Sequence, residues 1–199
     1  MREPGKIPVM PDNCCPNLPI ECQRLRLRDF HRGDLEQFTQ YRENPDIARY
    51  QGWDMFCMDD ALKLYEVLQG LRFGVPLTWY QIAISDLRTD AIVGDCVIYF
   101  TRDNSTVDIG FTLAPQVHGI GYAHEAISRL IELVFVTLGK QRIIAVTHAH
   151  NVAAHRLLGR LGFDQREHDS DDPEPELMHT LSLARWKILQ DGDNNTSPA

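Results

Sequence analysis

The sequence predicts a mixed α+β fold, a mainly antiparallel sheet with helices on both faces. Three observations carry this. Alternating or β-branched segments recur between Arg24 and Leu183. Those between Leu77 and Leu113 are joined by turns too short for anything but antiparallel pairing. Helix-period segments fall before and after that meander instead of alternating with each strand. At 199 residues the chain suits one domain. We place it at 21–188, between a flexible arm over 1–20 and a disordered tail over 189–199.

The elements follow in order. Met1 to Ile20 is rich in proline and has no hydrophobic period. Arg24-Leu25-Arg26-Leu27-Arg28 alternates strictly, which predicts a strand at a sheet edge with leucines inward and arginines outward. Asp34 is positioned to cap a helix that places Leu35, Phe38 and Tyr41 on one side. Asn44-Pro45-Asp46 interrupts it, and a short helix follows through Ile47 and Tyr50. Asp59 or Asp60 caps the next, whose stripe is Leu62, Leu64, Tyr65, Val67 and Leu68, with a stop at Gly70. The meander comprises strands over Leu77–Ile84, Ala91–Thr101 and Val107–Leu113, turned at Ser85-Asp86, Thr89-Asp90 and Asp103-Asn104-Ser105. A helix from Ala123 to Leu138 buries Ile127, Leu130, Ile131, Val134 and Phe135 and ends at Gly139. Arg142 to Thr147 is a nearly continuous β-branched run, as a strand covered on both faces requires. Asn151 caps a helix over Val152–Leu161 that Gly162 closes. Phe163–His168 and Leu177–Leu183 are the last predicted strands, joined by an acidic loop.

Composition excludes several classes. The chain is 43% hydrophobic and 24% charged, with a formal net charge of −8. An acidic balance argues against nonspecific nucleic-acid binding, which needs basic surface, and is compatible with a cationic, amine-bearing substrate. No apolar run approaches the ~20 residues of a membrane span, and Met1 to Pro11 lacks a signal-peptide pattern. A soluble cytoplasmic protein, acting as monomer or homodimer, is expected. The five cysteines, Cys14, Cys15, Cys22, Cys57 and Cys96, form neither a disulfide framework nor a Cys-x-x-Cys pair.

The stretch that organises the chain is Ala114-Pro115-Gln116-Val117-His118-Gly119-Ile120-Gly121-Tyr122-Ala123, between the third meander strand and the long helix. Two glycines at that junction let a ligand approach the backbone. The helix that follows offers free N–H groups and the positive end of its dipole to an anion. This is the recipe for a phosphate cradle. A P-loop is excluded, because no Gly-Lys-Ser/Thr tripeptide occurs. A Rossmann fingerprint is excluded by His124 where the third glycine belongs and by the antiparallel meander before it.

The pattern Gln116-x-x-Gly119-x-Gly121-Tyr122-Ala123, with Asn151 and Leu161-Gly162-Phe163 downstream, resembles the acetyl-CoA-binding core of the GNAT N-acetyltransferase superfamily. It is most similar to the branch of ribosomal-protein N-terminal acetyltransferases and related small-molecule acetyltransferases. The resemblance runs from about Arg24 to Leu183. It implies a GNAT-type sheet with a central splayed strand pair, and acetyl-CoA as cosubstrate. Backbone N–H groups from Val117, His118, Gly119, Gly121, Tyr122 and Ala123 would hold the pyrophosphate, at about 1.5–3 kcal/mol per charge-assisted bond. Phe111, Thr112 and Leu113 would pair with the pantetheine amides, one N–H there steadying the oxyanion, and Asn151 would contact the cofactor.

An amine is mostly protonated near neutral pH, so acetyl transfer to it needs a proton acceptor. Asp108 is the candidate: alternation puts it on one face with Gly110 and Thr112, opposite core-facing Ile109 and Phe111, and it matches a strand position where many GNAT enzymes carry a catalytic carboxylate. Glu125 is the other acid, with a helix-dipole role of its own. Relatives protonate the departing thiolate from a tyrosine or serine where this chain has Leu158 and Ala154, which leaves Tyr122 or a water. His148-x-His150 shares a strand face, but no Cys, Asp or Glu stands at ligand spacing, so no metal is expected. Tyr41, Tyr50, Trp53 and Phe56 are candidates to wall the acceptor pocket. The expected function is N-acetyl transfer to a small-molecule or peptide amine by direct attack. The alternative is a catalytically weak acyl-CoA-binding module with a sensing or interaction role.

Overall fold

The computed structural model describes residues 18–51, 53, 55–167 and 175–194. Their strands form one eight-stranded sheet in the order β1-β2-β3-β4-β5-β6-β8-β7. The strands are β1 (Ile20–Glu21), β2 (Leu25–Arg28), β3 (Trp79–Asp86), β4 (Ile92–Phe100), β5 (Thr106–Leu113), β6 (Arg142–His148), β7 (Asp164–Glu167) and β8 (Glu176–Ser182). Every pairing is antiparallel except β5 with β6. The helices are α1 (Leu35–Arg42), α2 (Pro45–Ala48), α3 (Met58–Gly70), α4 (Tyr122–Glu132), α5 (Val152–Arg160) and α6 (Leu183–Asn194).

The sheet separates two cores. On one face Leu25, Leu27, Ile82, Ile84, Ile98, Ile109 and Ile143 pack with Ile127, Leu130 and Ile131 of α4 and Leu157 and Leu158 of α5. On the other, Ala83 and Ile92 meet Leu35 and Phe38 of α1 and Ala61 and Leu68 of α3. The long predicted helix is present but changes pitch: α4 passes into a π-helical turn over Leu133–Thr137, and Gly139 (φ 64°) ends it.

β2 is not the edge, since β1 pairs with it and the arm therefore ends before Ile20. Arg28 does not face out. It is buried, and its Nη1 and Nη2 donate to both oxygens of Asp34 (2.7 and 2.9 Å). Asp34 holds the N-cap position of α1 as predicted, yet its side chain makes no capping bond to that helix. It accepts the His31 N–H (2.7 Å), which closes the 3₁₀ turn over Arg32–Asp34. The N-cap of α3 is Cys57, with Asp60 accepting back from its N–H (3.1 Å). Val67 lies on the exposed side of that helix.

Helix α6 occupies 183–194, so order extends past 189, where the sequence predicts a disordered tail. Its Trp186 ring stands 5.5 Å from Phe135, Arg185 Nε donates to the Gly162 carbonyl (2.6 Å), and Leu189 lies over Gly162. No long-period apolar stripe announces α6, because it packs through a few large contacts. The rest of the expected arm and tail, the Cys14-Cys15 pair and most of the acidic loop lie outside the described residues.

Candidate active site

Strands β5 and β6 pair only at Thr106–Arg142, Val107–Ile143 and Asp108–Ile144. Beyond that point each stays with its outer neighbour: β5 is held by β4 up to Leu113–Gly94, and β6 by β8 up to His148–Glu176. The two strands therefore fork, and the β6-facing side of Ile109 to Leu113 has no ladder partner in β6. Backbone groups freed in this way are obligatory hydrogen-bonding groups, and an extended ligand rich in amides can satisfy them.

A cleft of about 1740 Å³ enters the fork, with Phe111, Thr112 and Leu113 in its wall. At its mouth stands the glycine turn. Gly119 and Gly121 have φ of 78° and 88°, a region closed to most side chains, and Gly121 is the N-cap of α4. No side chain caps this helix. Its bonding begins with the Glu125 N–H on the Gly121 carbonyl (3.1 Å), so the N–H groups of the preceding turn point out of the helix mouth. Gly119, Gly121, Tyr122 and Ala123 line the cleft as the sequence predicts. Val117 and His118 line it too, but their N–H groups are already bonded, to the Ala114 and Pro115 carbonyls (3.0 and 3.2 Å). His118 instead ties the collar to β5, its Nε2 lying 2.8 Å from the Leu113 carbonyl. Gly94 escaped sequence reasoning. A Cβ there would lie 2.5 Å from the Thr112 carbonyl oxygen, so only glycine lets β4 press this closely on the wall strand.

Asp108 sits on the last paired rung of the fork, half-buried, and the register puts it with Gly110 and Thr112 on the face opposite Ile109. It is at the base of the fork and not among the residues of the cleft wall. Tyr122 lines the cleft, and its hydroxyl donates to Asp86 at the end of β3 (3.3 Å). Glu125 accepts two bonds from Arg24, at 2.6 and 2.7 Å. Asn151 both caps α5, accepting the Ala154 N–H (3.1 Å), and lines the cleft. Among the described residues its side-chain amide N–H groups have no acceptor. Leu158 is fully buried and Ala154 nearly so, so neither position supplies a proton donor.

Of the four aromatics expected around the acceptor, Tyr50 lines the cleft, on the α2 side with Asn44, Asp46 and Ile47. The others serve packing. Tyr41 is buried with its hydroxyl on Asp95 (2.5 Å). Trp53 and Phe56 flank the Arg42 guanidinium, 4.3 and 5.2 Å from the ring centroids. Asp95 gathers that layer, accepting from Tyr41, Arg42 (2.7 Å) and Gln81. His148 and His150 stand 5.1 Å apart, and among the described residues no group of three metal-ligating side chains assembles.

Cys22 also lines the cleft. Burial, reinforced by Glu125, pushes its thiol up to about 11. Since the thiolate is the nucleophilic form, this shift disfavours Cys22 as a nucleophile near neutral pH.

Residues 24–164 match the family model of the acetyltransferase (GNAT) domain. The chain belongs to the GNAT acetyltransferase family. It is 26% identical over 170 residues to the uncharacterized N-acetyltransferase p20 of Bacillus licheniformis, covering 84% of this chain and 94% of that one. Among solved structures it superposes on a provisionally assigned ribosomal-protein-serine acetyltransferase from Vibrio cholerae. There the TM-score is 0.71, the identity 21%, and the coverage 84% of this chain and 99% of the other. A spermidine N-acetyltransferase from the same organism, in complex with CoA and spermine, gives a TM-score of 0.70 at 18% identity, covering 82% and 98%. Identities this low carry the fold alone. The GNAT assignment accounts for the fork and collar together, and makes the chain an acyltransferase.

Proposed function

We propose that this chain transfers the acetyl group of acetyl-CoA to a primary amine by direct attack. The observation that carries the reading is the fork beyond Asp108 and Ile144 opening into the same cleft as the glycine collar. The collar suits the diphosphate, the unpaired edge of β5 suits the pantetheine amides, and the fork admits the thioester.

The amine nitrogen attacks the thioester carbon, a C–N bond forms and the C–S bond breaks. Asp108, on the last paired rung, takes the proton that the nitrogen must lose. A backbone N–H of the Phe111–Leu113 segment steadies the oxygen as it becomes anionic. With the Tyr122 hydroxyl on Asp86, and Leu158 and Ala154 apolar, the thiolate takes its proton from water. Direct attack is favoured over a covalent acetyl-enzyme because Cys22, the cysteine of the cleft wall, is held as a neutral thiol.

The acceptor enters on the α2 side, past Tyr50 and Asp46. Protein N-termini and small amines both fit this chemistry. The Vibrio cholerae spermidine acetyltransferase shares the fold and adds polyamines to the acceptors to be tested. The test is CoA thiol release against N-terminal peptides, polyamines, amino sugars and amino acids. Release that requires one amine class supports the reading, and none with any amine overturns transfer. The buried Leu158 and Ala154 favour one second reading, a module that binds acyl-CoA and turns it over poorly. It predicts calorimetric binding of acetyl-CoA with no amine-dependent release.

A further inference from the structure

Arg24 lies in the bend between β1 and β2, 101 residues before Glu125, yet it is fastened to the collar. Its backbone N–H and its Nε donate to the two Glu125 oxygens (2.6 and 2.7 Å), and Nη1 donates to the Ile120 carbonyl (3.0 Å). The guanidinium carbon stands 4.7 Å above the Tyr122 ring. Nη2 is 3.4 Å from where a Cβ on Gly121 would be, and among the described residues it has no hydrogen-bond acceptor. Arg24 lines the cleft beside Gly121 and Tyr122.

Glu125 creates the electrostatic problem that this arrangement solves. A carboxylate in the first turn of α4 is favourable to the helix, but it occupies the positive end that a diphosphate would also use. Two anions at one helix mouth repel each other, more strongly where water is partly excluded. Arg129, the other arginine on this stretch of wall, is paired with Glu132 (2.6 Å) and does not compensate.

We propose that Arg24 is a ligand-binding residue of the acetyl-CoA site, cancelling the charge of Glu125 and offering Nη2 to the diphosphate seated at Gly121. This rests on the acetyl-CoA reading above. The rival is a structural staple, in which Arg24 only fastens the β1–β2 bend to α4.

A double-mutant cycle separates the two. Calorimetry with acetyl-CoA is run on the wild-type chain, Arg24→Gln, Glu125→Gln and the double variant, with thermal melts alongside. Arg24→Gln is expected to weaken binding by about tenfold or more, the loss of one charge-assisted contact plus the unmasked carboxylate. Glu125→Gln is expected to bind no worse than wild type, and the double variant to recover the part of the loss that comes from the unmasked carboxylate. With S-acetylpantetheine as acetyl donor, which lacks the phosphates, the kcat/KM loss in Arg24→Gln should be clearly smaller than with acetyl-CoA, because a neutral donor makes no charge-assisted contact with the guanidinium. A staple gives the opposite pattern: equal losses on both donors and no recovery in the double variant. That result, or wild-type affinity in Arg24→Gln, overturns the proposal. Failure of the wild-type chain itself to bind acetyl-CoA overturns the underlying reading instead.

Discussion

Asp108 and Ile144 are the last paired residues of β5 and β6, and every residue of β5 beyond them faces the fork without a partner strand on that side. A carboxylate at this rung stands where two strands stop sharing hydrogen bonds, at the base of the fork whose wall is Phe111 to Leu113. Asp108→Asn keeps the shape and removes the carboxylate to which the proposed mechanism gives the proton. The expected outcome is a fall in kcat/KM of about 10²–10⁴-fold, with unchanged affinity for acetyl-CoA. Stopped-time thiol release measures the first and calorimetry the second, and full activity in Asp108→Asn would remove the residue from the mechanism.

The fork and collar were legible in the sequence for different reasons. Gly119 and Gly121 stand out through their company, Gln116 before them, Tyr122-Ala123 after and Asn151 and Gly162-Phe163 downstream, and both do adopt the positive φ that glycine permits. The fork is visible only through resemblance, since nothing in Ile109 to Leu113 differs locally from an ordinary strand. What the sequence hid is mostly charge taken inward. Arg28 reads as an outward residue of an alternating strand, and only the later Asp34 makes its burial affordable. Tyr41, Trp53 and Phe56 read as a pocket wall because aromatics suit both roles. The distant Asp95, reached through strand register, draws them to the core. Val117 and His118 are collar residues in sequence, but a 3₁₀ turn consumes their N–H groups.

Gly119→Ala tests whether a ligand comes close to the collar. No protein atom lies within 4 Å of the Cβ position, so the only cost to the fold is the left-handed backbone, φ 78°, about 1–2 kcal/mol. Affinity for acetyl-CoA should fall by more than about tenfold if a phosphate occupies that space. Calorimetry against a melting curve separates the two effects, and a stability loss with wild-type affinity would place the ligand elsewhere.

Cys22 should be dispensable. Its thiol is raised to about 11 chiefly by burial, so at pH 7.5 almost none of it is thiolate. Cys22→Ser is expected to retain turnover within about threefold, in line with an inert group. Iodoacetamide followed by peptide mass spectrometry should label exposed Cys57 well before Cys22. An acetylated Cys22 peptide trapped from acetyl-CoA alone would argue for a two-step route instead.

Asp95 holds α1, and through it the α2 wall, against the sheet. It is nearly fully buried and accepts from Tyr41, Arg42 and Gln81, while Arg42 is enclosed by Phe38, Trp53 and Phe56. Asp95→Ala leaves the Arg42 cation buried without its counter-charge, which costs about 3–5 kcal/mol. Urea unfolding of Asp95→Ala and of Asp95→Ala/Arg42→Met measures it. The double variant should recover part of the loss, and additive losses would refute the coupling.

His179 sets a pH dependence whose sign follows from its surroundings. It is buried on β8, its Nε2 lies 3.1 Å from Thr147 Oγ1, and its ring is 5.3 Å from that of His155. Burial, and then His155, lower its pKa in the folded chain. The unfolded chain therefore binds this proton more readily, starting near the ordinary histidine value of ~6.5. The stability due to a neutral His179 is complete above that value and is lost as pH falls below it. The loss is at most about 1.4 kcal/mol per pH unit from this residue, until the folded pKa is reached. Urea midpoints at pH 7.5, 6.5, 5.8 and 5.2 should fall less steeply below ~6.5 in His179→Gln than in wild type. Thr147→Val, which removes the hydroxyl partner and keeps the imidazole, should leave the wild-type slope in place. Identical slopes in wild type and His179→Gln would assign the acid sensitivity to other groups.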